Sequence, residues 1–243
     1  MFNKFILEKH LSKTPISFQK FIMNQYFMLN KKTEYDYIKY AESLKAFKKN
    51  RCIFIHIPKT AGISLSKSLF GKDIDTNHIS IRRFRLLFNS SEFNEYYKFT
   101  FVRNPWDKIF SCYRFLKKGG TTPYHSRWKE QVLDNFPDFN SFVKGWVNKK
   151  NIYSFSHFLT QFWFLTFHNF DIQVDFIGRF ENLNADFLKI TNKLNINSDL
   201  LHLNKSDNIR KMYFDYYNQE SIDIIASIYK EDIELFKYDY KRT

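Results

Sequence analysis

The chain has 243 residues, 44% of them hydrophobic, and 38 lysines and arginines against 25 acids give it a formal net charge of +13. That length and apolar content exclude a disordered chain and fit one substantial core. No apolar run reaches the roughly 18–20 residues of a membrane helix, and two cysteines cannot build a disulfide framework. The opening MFNKFILEKHL breaks its apolar stretch at Glu8 and Lys9, which argues against a signal peptide. These features predict a cytoplasmic protein, with attachment at the periphery of a membrane as a further option. The charge is uneven. Residues 1–120 hold 23 Lys and Arg against 9 acids, a net +14, while residues 121–243 come to −1. A basic half attracts anions such as nucleotides, polyanionic substrates or nucleic acid, but compositional drift accounts for the surplus equally well.

Glycine and proline number only six and five, so their positions are informative. Residues 15–49 read as helices. CIFIHI (52–57) is a short β-branched run ended by Pro58, a buried strand meeting a loop. ISLSKSLF (63–70) follows at helical spacing, and residues 80–97 read as a polar-faced helix. KFTFV (98–102) is a second strand, stopped by Arg103, Asn104 and Pro105. Asn104 can cap the next helix with Pro105 at its first position, and that helix runs to about Leu116. The stretch 117–130, KKGGTTPYHSRWKE, reads as the clearest loop. Residues 138–149 and 155–168 read as helices, VDFIG (174–178) as a third strand, and Asn182–Leu194 and about 219–236 as helices with one apolar face. Strands alternating with helices predict an α/β protein with a parallel sheet in one domain.

Two segments carry chemistry. In the first, a buried strand turns through PKTAGIS into a helix. A helix N-terminus offers N–H groups and partial positive charge to an anion, and Lys59, Thr60 and Ser64 add a cation and two hydroxyls. Lys59 precedes Gly62, so the loop is not a Walker A loop, and a metal-dependent kinase is disfavoured. The plain alternative is an ordinary strand–helix turn with an incidental lysine. In the second, Arg103 ends a strand and Ser111 lies two turns into the next helix. Asp107, Lys108 and Ser111 then share a face above Arg103, and Arg103 with Ser111 suits a phosphate monoester at the strands' carboxyl ends. Here the plain alternative is an Arg103–Asp107 ion pair.

Together, IFIHIPKTAGISLSKSLFG and YKFTFVRNPWDKIFSCYRFL resemble the two nucleotide-binding signatures of carbohydrate sulfotransferases. The closer resemblance is to the heparan sulfate 2-O- and uronyl-type enzymes and their bacterial relatives. VDFIGRFENLNADF, HLNKS and IYKEDIELFKYDY resemble later parts of that family, so the likeness runs over about residues 50–240. It implies a P-loop-like three-layer α/β fold and the donor 3′-phosphoadenosine-5′-phosphosulfate (PAPS), with no metal. Residues 1–49 then read as a helical extension packed on the core, and 50–243 as a single sulfotransferase domain. Carried over by position, Lys59, Thr60, Ala61, Gly62, Ile63 and Ser64 hold the 5′-phosphosulfate, Arg103 and Ser111 the 3′-phosphate, and Lys205 and Ser206 close over the nucleotide. Lys59 also neutralises the bridging oxygen as the sulfuryl group departs.

Of seven histidines, His78, in DTNHIS, resembles the family's catalytic base, although Asn77 stands where relatives can carry a second histidine. His56, inside the strand, suits core packing or loop hydrogen bonding, and His125 reads as a solvated loop residue. Arg82, Arg83 and Arg85 either line a channel for an acidic sugar or form a solvated helix face. Trp106 and the aromatic run 155–170 could stack on sugar rings, but their spacing favours core packing, and Cys52 and Cys112 read as buried small apolar residues. The predicted activity is sulfuryl transfer to a hydroxyl of a carbohydrate or related metabolite, acidic or lipid-linked acceptors included, with no nucleic-acid partner. The rivals are a P-loop kinase or other phosphoryl transferase and a basic nucleic-acid-binding protein.

Overall fold

The computed structural model describes residues 33–72, 78–167, 171–201 and 213–240, together with 14, 15, 18 and 22. His10, Asn77, His168, His202, Lys205 and Ser206 lie outside the described residues. The chain is α/β and divides into two compact units: residues 1–102 with 161–204, and residues 103–160 with 205–243. Among the described residues no helix is long and apolar enough to cross a membrane.

The first unit is built on three parallel strands in the order β1 (Cys52–Ile55), β2 (Tyr97–Val102), β3 (Phe176–Arg179). Every residue of β1 is buried, as expected of a strand covered on both faces. Phe54 pairs with Phe99, their rings stacked at 5.1 Å, and Thr100 donates its hydroxyl to the Ile55 carbonyl at 2.8 Å. Phe101 pairs with Gly178, and its ring would lie 2.6 Å from any Cβ there, so only glycine lets β3 come alongside. β1 connects to β2 through α2 (Gly62–Phe70), α3 (Ile81–Leu87) and α4 (Ser90–Glu95). The expected helix over 80–97 is broken at Phe88 and Asn89, because Asn89 forms a capping box with Glu92 and starts α4 afresh. Ahead of the sheet, α1 (Thr33–Lys49) sends Phe47 against Phe70 and Phe84 at 5.6 and 5.8 Å. After β2 the chain builds the first part of the second unit. It then returns through α8 (Gln161–Leu165) to β3 and α9 (Leu183–Leu194).

Arg82 and Arg83 are buried, contrary to both readings of the helix that carries them. Arg82 donates to the carbonyls of Trp163, at 2.9 Å, and Thr166, and its guanidinium lies 4.6 Å from the Trp163 ring. It ties α3 to α8, and the two carbonyls compensate the burial of its charge.

The second unit is helical and aromatic. α5 (Pro105–Lys117) begins as expected: the Asn104 side chain accepts from the Trp106 amide and Pro105 takes the first position. The stretch expected as loop instead forms α6 (Pro123–Gln131), capped by Thr122 with Pro123 at its start, a signal outweighed by the preceding Gly119–Gly120. α7 (Phe139–Trp146) follows. Residues 151–158 are short 3₁₀ turns, so the helix expected over 155–168 is two pieces, and only its later part, α8, is α-helical. α10 (Gln219–Ile228) and α11 (Lys230–Phe236) meet at Tyr229, which donates its hydroxyl to Phe158 at 2.6 Å. Around them Trp128, Trp146, Phe142, Phe155 and Phe158 pack ring against ring. Trp106 is in this core as well, and its indole donates to Ile222.

Burial pushes the Cys52 thiol up to about 12 from its ordinary 9.0, and the Tyr217 and Tyr229 phenols well above their ordinary 10.0. The unfolded chain ionises these groups first, so the stability they contribute is complete at neutral pH; that of the two tyrosines is lost as pH rises above 10, and that of Cys52 as pH rises from 9 through 12. Denaturant unfolding should therefore show a steep alkaline loss of stability. The Cys52→Ala variant should lose less over that window, by up to about 1.4 kcal/mol per pH unit; parallel curves would refute the assignment.

Candidate functional site

β1 leads into the six-residue loop His56–Ala61, which leads into α2. In this loop Lys59 and Ala61 take positive φ, +70° and +66°, and Gly62 does not. Left-handed conformations at non-glycine residues cost roughly 1–3 kcal/mol each and concentrate at functional turns. Bracketing Thr60, they fold the loop into a tight turn of the kind whose backbone N–H groups form anion-binding concavities. Ala61 is the N-cap of α2 and supplies no side-chain cap. The first amides of α2 therefore receive no cap from the N-cap side chain, and their partial positive charge suits an anion. Thr60 is fully buried and donates its hydroxyl to the Ile57 carbonyl at 2.9 Å, so its side chain shapes the loop. Ser64 is buried in the first turn of α2, Ile63 is exposed beside it, and Lys59 is half-buried.

Gly62 is needed for space. A Cβ at this position would lie 1.9 Å from two ring atoms of His56. The His56 imidazole therefore covers the start of α2, with its other neighbours the Phe54 ring, stacked at 5.7 Å, and the His78 ring, edge-on at 4.5 Å. Burial, then the charge of His78, then that of Lys59 hold its pKa well below the ordinary 6.5, so His56 is neutral at working pH. His56 is thus the packed histidine expected, and the Lys59 ammonium lies within its electrostatic reach.

His78 is half-buried and has φ +52°. Its Nδ1 lies 3.0 Å from the His56 carbonyl oxygen. A carbonyl only accepts, so Nδ1 carries the proton and the neutral ring has its lone pair on Nε2. The first unit thereby brings together Lys59, the α2 N-terminus and a histidine with a defined basic nitrogen. Periodicity offers no signal for the His56–His78 contact, because 22 residues separate the partners.

In the second unit, Arg103 and Ser111 are placed by α5. Arg103 donates Nε to Asp107 at 2.7 Å, so the ion pair that spacing allowed is formed. Nε is one of five N–H donors on the guanidinium, and this contact orients the fork. Ser111 is half-buried one turn beyond Asp107. Lys108 does not share that face. It is fully buried, with Nζ donating to the carbonyls of His157 and Leu159 at 2.9 and 3.0 Å, and burial lowers its pKa. The helical step of about 100° turns Lys108 inward with Cys112, whose thiol also reaches the His157 carbonyl. His125 accepts the Thr121 amide on Nδ1 and packs edge-on to Phe115, so it is part of the α6 start and not a solvated loop residue.

A family model described as the sulfotransferase family matches residues 22–239, and the chain belongs to that family. The match takes in α1, which the sequence resemblance beginning near residue 50 left out. Over 123 residues the chain is 29% identical to an uncharacterized protein of Archaeoglobus fulgidus, a stretch covering 49% of this chain and 88% of that protein. No solved structure matches the chain.

The His56–Gly62 contact makes a sharp prediction. Gly62→Ala should destabilise the protein by about 1–3 kcal/mol, because the imidazole has to move. Since the clash requires both side chains, Gly62→Ala with His56→Ala should be more stable than the sum of the two single variants implies. Simple additivity in denaturant melts would show that the ring and Gly62 do not meet.

Proposed function

We propose that this member of the sulfotransferase family moves the sulfuryl group of PAPS to a hydroxyl of a carbohydrate or related metabolite. The observation that carries the reading is the β1–loop–α2 turn: a helix N-terminus with no side-chain cap from its N-cap residue, a strained backbone and Lys59 within electrostatic reach of His56. These residues fit an anionic group, and PAPS would supply it together with the activated sulfuryl. Residues 59–64 hold the 5′-phosphosulfate through backbone N–H groups, the Lys59 charge and the Ser64 hydroxyl. Arg103, its fork oriented by Asp107, holds the 3′-phosphate with Ser111. By resemblance, Lys205 and Ser206 close over the nucleotide.

His78 accepts the acceptor hydroxyl's proton on Nε2 while that oxygen bonds to sulfur. The sulfur–bridging-oxygen bond breaks, and Lys59 stabilises the negative charge left on adenosine 3′,5′-bisphosphate. This needs no nucleophile from the protein. Cys52 and Cys112 are buried and unpaired with each other, which supports a reducing, cytoplasmic setting.

Calorimetric titration with adenosine 3′,5′-bisphosphate, beside ADP and Mg·ATP, tests the donor site. The 3′,5′-bisphosphate should bind without added metal and ADP more weakly. Arg103→Ala should weaken the former by roughly 10–100-fold, the loss of about 1.5–3 kcal/mol expected for charge-assisted hydrogen bonds. Preference for Mg·ATP would point to phosphoryl transfer, and salt-steep binding of DNA or RNA with no nucleotide selectivity to a nucleic-acid role. With an acceptor in hand, His78→Ala should lower turnover by roughly 10²–10⁴-fold and Lys59→Ala by roughly 10²–10³-fold.

A further inference from the structure

We propose that His56 is a positioning residue that joins the phosphate loop to the base. Its carbonyl selects the Nδ1–H tautomer of His78, and its imidazole, wedged between Gly62 and His78, keeps the two in register. The inference rests on the reading of His78 as base and residues 59–64 as the donor loop.

Three observations on different atoms support it. First, the His56 carbonyl lies 3.0 Å from His78 Nδ1, and this contact leaves Nε2 as the proton-accepting nitrogen. A base must present its lone pair in a fixed direction, and the hydrogen bond at the other ring nitrogen is what sets that direction. Second, the His56 side chain touches the edge of the His78 ring, at 4.5 Å between centroids, and the first residue of α2, where no Cβ fits. One buried ring therefore sets the distance of both the base and the helix N-terminus from β1. Third, His56 itself is kept neutral: burial, His78 and Lys59 all oppose its ionisation. Had His56 ionised as readily as an ordinary imidazole, a positive charge would stand beside His78 and oppose its taking a proton. A buried neutral ring holds the base without competing for the proton.

The left-handed backbone at His78 belongs to the same arrangement. A residue at φ +52° is strained unless its surroundings hold it, and the His56 carbonyl and ring are among the neighbours of this imidazole.

The test reads the histidines directly, with no acceptor required. In the full-length chain with ¹⁵N-labelled histidine, two-bond ¹H–¹⁵N correlations report which ring nitrogen carries the proton, and a His78→Gln sample identifies the His78 signals. Wild-type His78 should show the Nδ1–H pattern when neutral, and His56 should stay neutral through pH 5–8. His56→Ala keeps the backbone carbonyl but removes the ring that holds Gly62 and His78 in register, so the Nδ1–H pattern of His78 should become mixed with the Nε2–H form. His56→Asn, which fills part of the space, should retain more of it and guards against a variant that does not fold. Adenosine 3′,5′-bisphosphate binding is measured on the same samples. An Nε2–H pattern at wild-type His78 overturns the selection of the tautomer by the His56 carbonyl, and an unchanged Nδ1–H pattern in a folded His56→Ala, which keeps that carbonyl and loses only the ring, overturns the ring's part in holding the base, even where the nucleotide binds normally. Failure of wild-type protein to bind the nucleotide overturns the functional reading, and the inference with it.

Discussion

The approach of the His56 imidazole to the backbone of Gly62 is the contact on which the rest of the first unit's chemistry depends. The ring occupies the place a Cβ would take, so α2 can begin only where residue 62 has no side chain. Because α2 starts there, the turn before it has to reverse within six residues, and Lys59 and Ala61 absorb the reversal as left-handed residues. The uncapped N-terminus of α2 follows from the same geometry, since an N-cap alanine has nothing with which to bond the first amides. Backbone strain, a helix terminus without a side-chain cap and a neutral buried histidine thus occur together around one close contact.

The two units use buried cations differently from surface ones. Arg82 in the first unit and Lys108 in the second are held by backbone carbonyls of segments far away in sequence, Trp163 and Thr166 in one case and His157 and Leu159 in the other. Each satisfies carbonyls at irregular or terminal backbone, where no ladder or helix bond is available. The formal charge of the basic half therefore overstates what its surface offers an anion. Part of that charge is structural, and part is neutralised locally in pairs such as Lys48 with Glu92 and Arg51 with Glu95. Among the cations with a candidate role, Arg103 pairs with an acid four residues on, which fixes the direction of its fork.

Membership of the sulfotransferase family and the loop geometry support each other at the level of chemistry. The family speaks for sulfuryl transfer. The loop is suited to an anion and puts Lys59 within electrostatic reach of His56, whose ring and carbonyl meet His78.

Short buried strands, a proline at the first turn of α5 and the order of the two signature segments are local in sequence, and all were legible there. Each rests on the conformational preference of one or a few neighbouring residues: β-branched runs, the fixed φ of proline, the asparagine cap. The α6 helix was also written locally, in Thr122 and Pro123, but two glycines and a run of polar residues concealed it. What only the tertiary structure decided are the contacts between distant positions. Arg82 and Lys108 point inward rather than to an anion, Tyr229 divides the last helix, and His78 meets His56. No period of 2 or 3.6 residues carries that information, because packing brings together residues tens of positions apart, and a polar side chain's direction follows from the carbonyls it finds there.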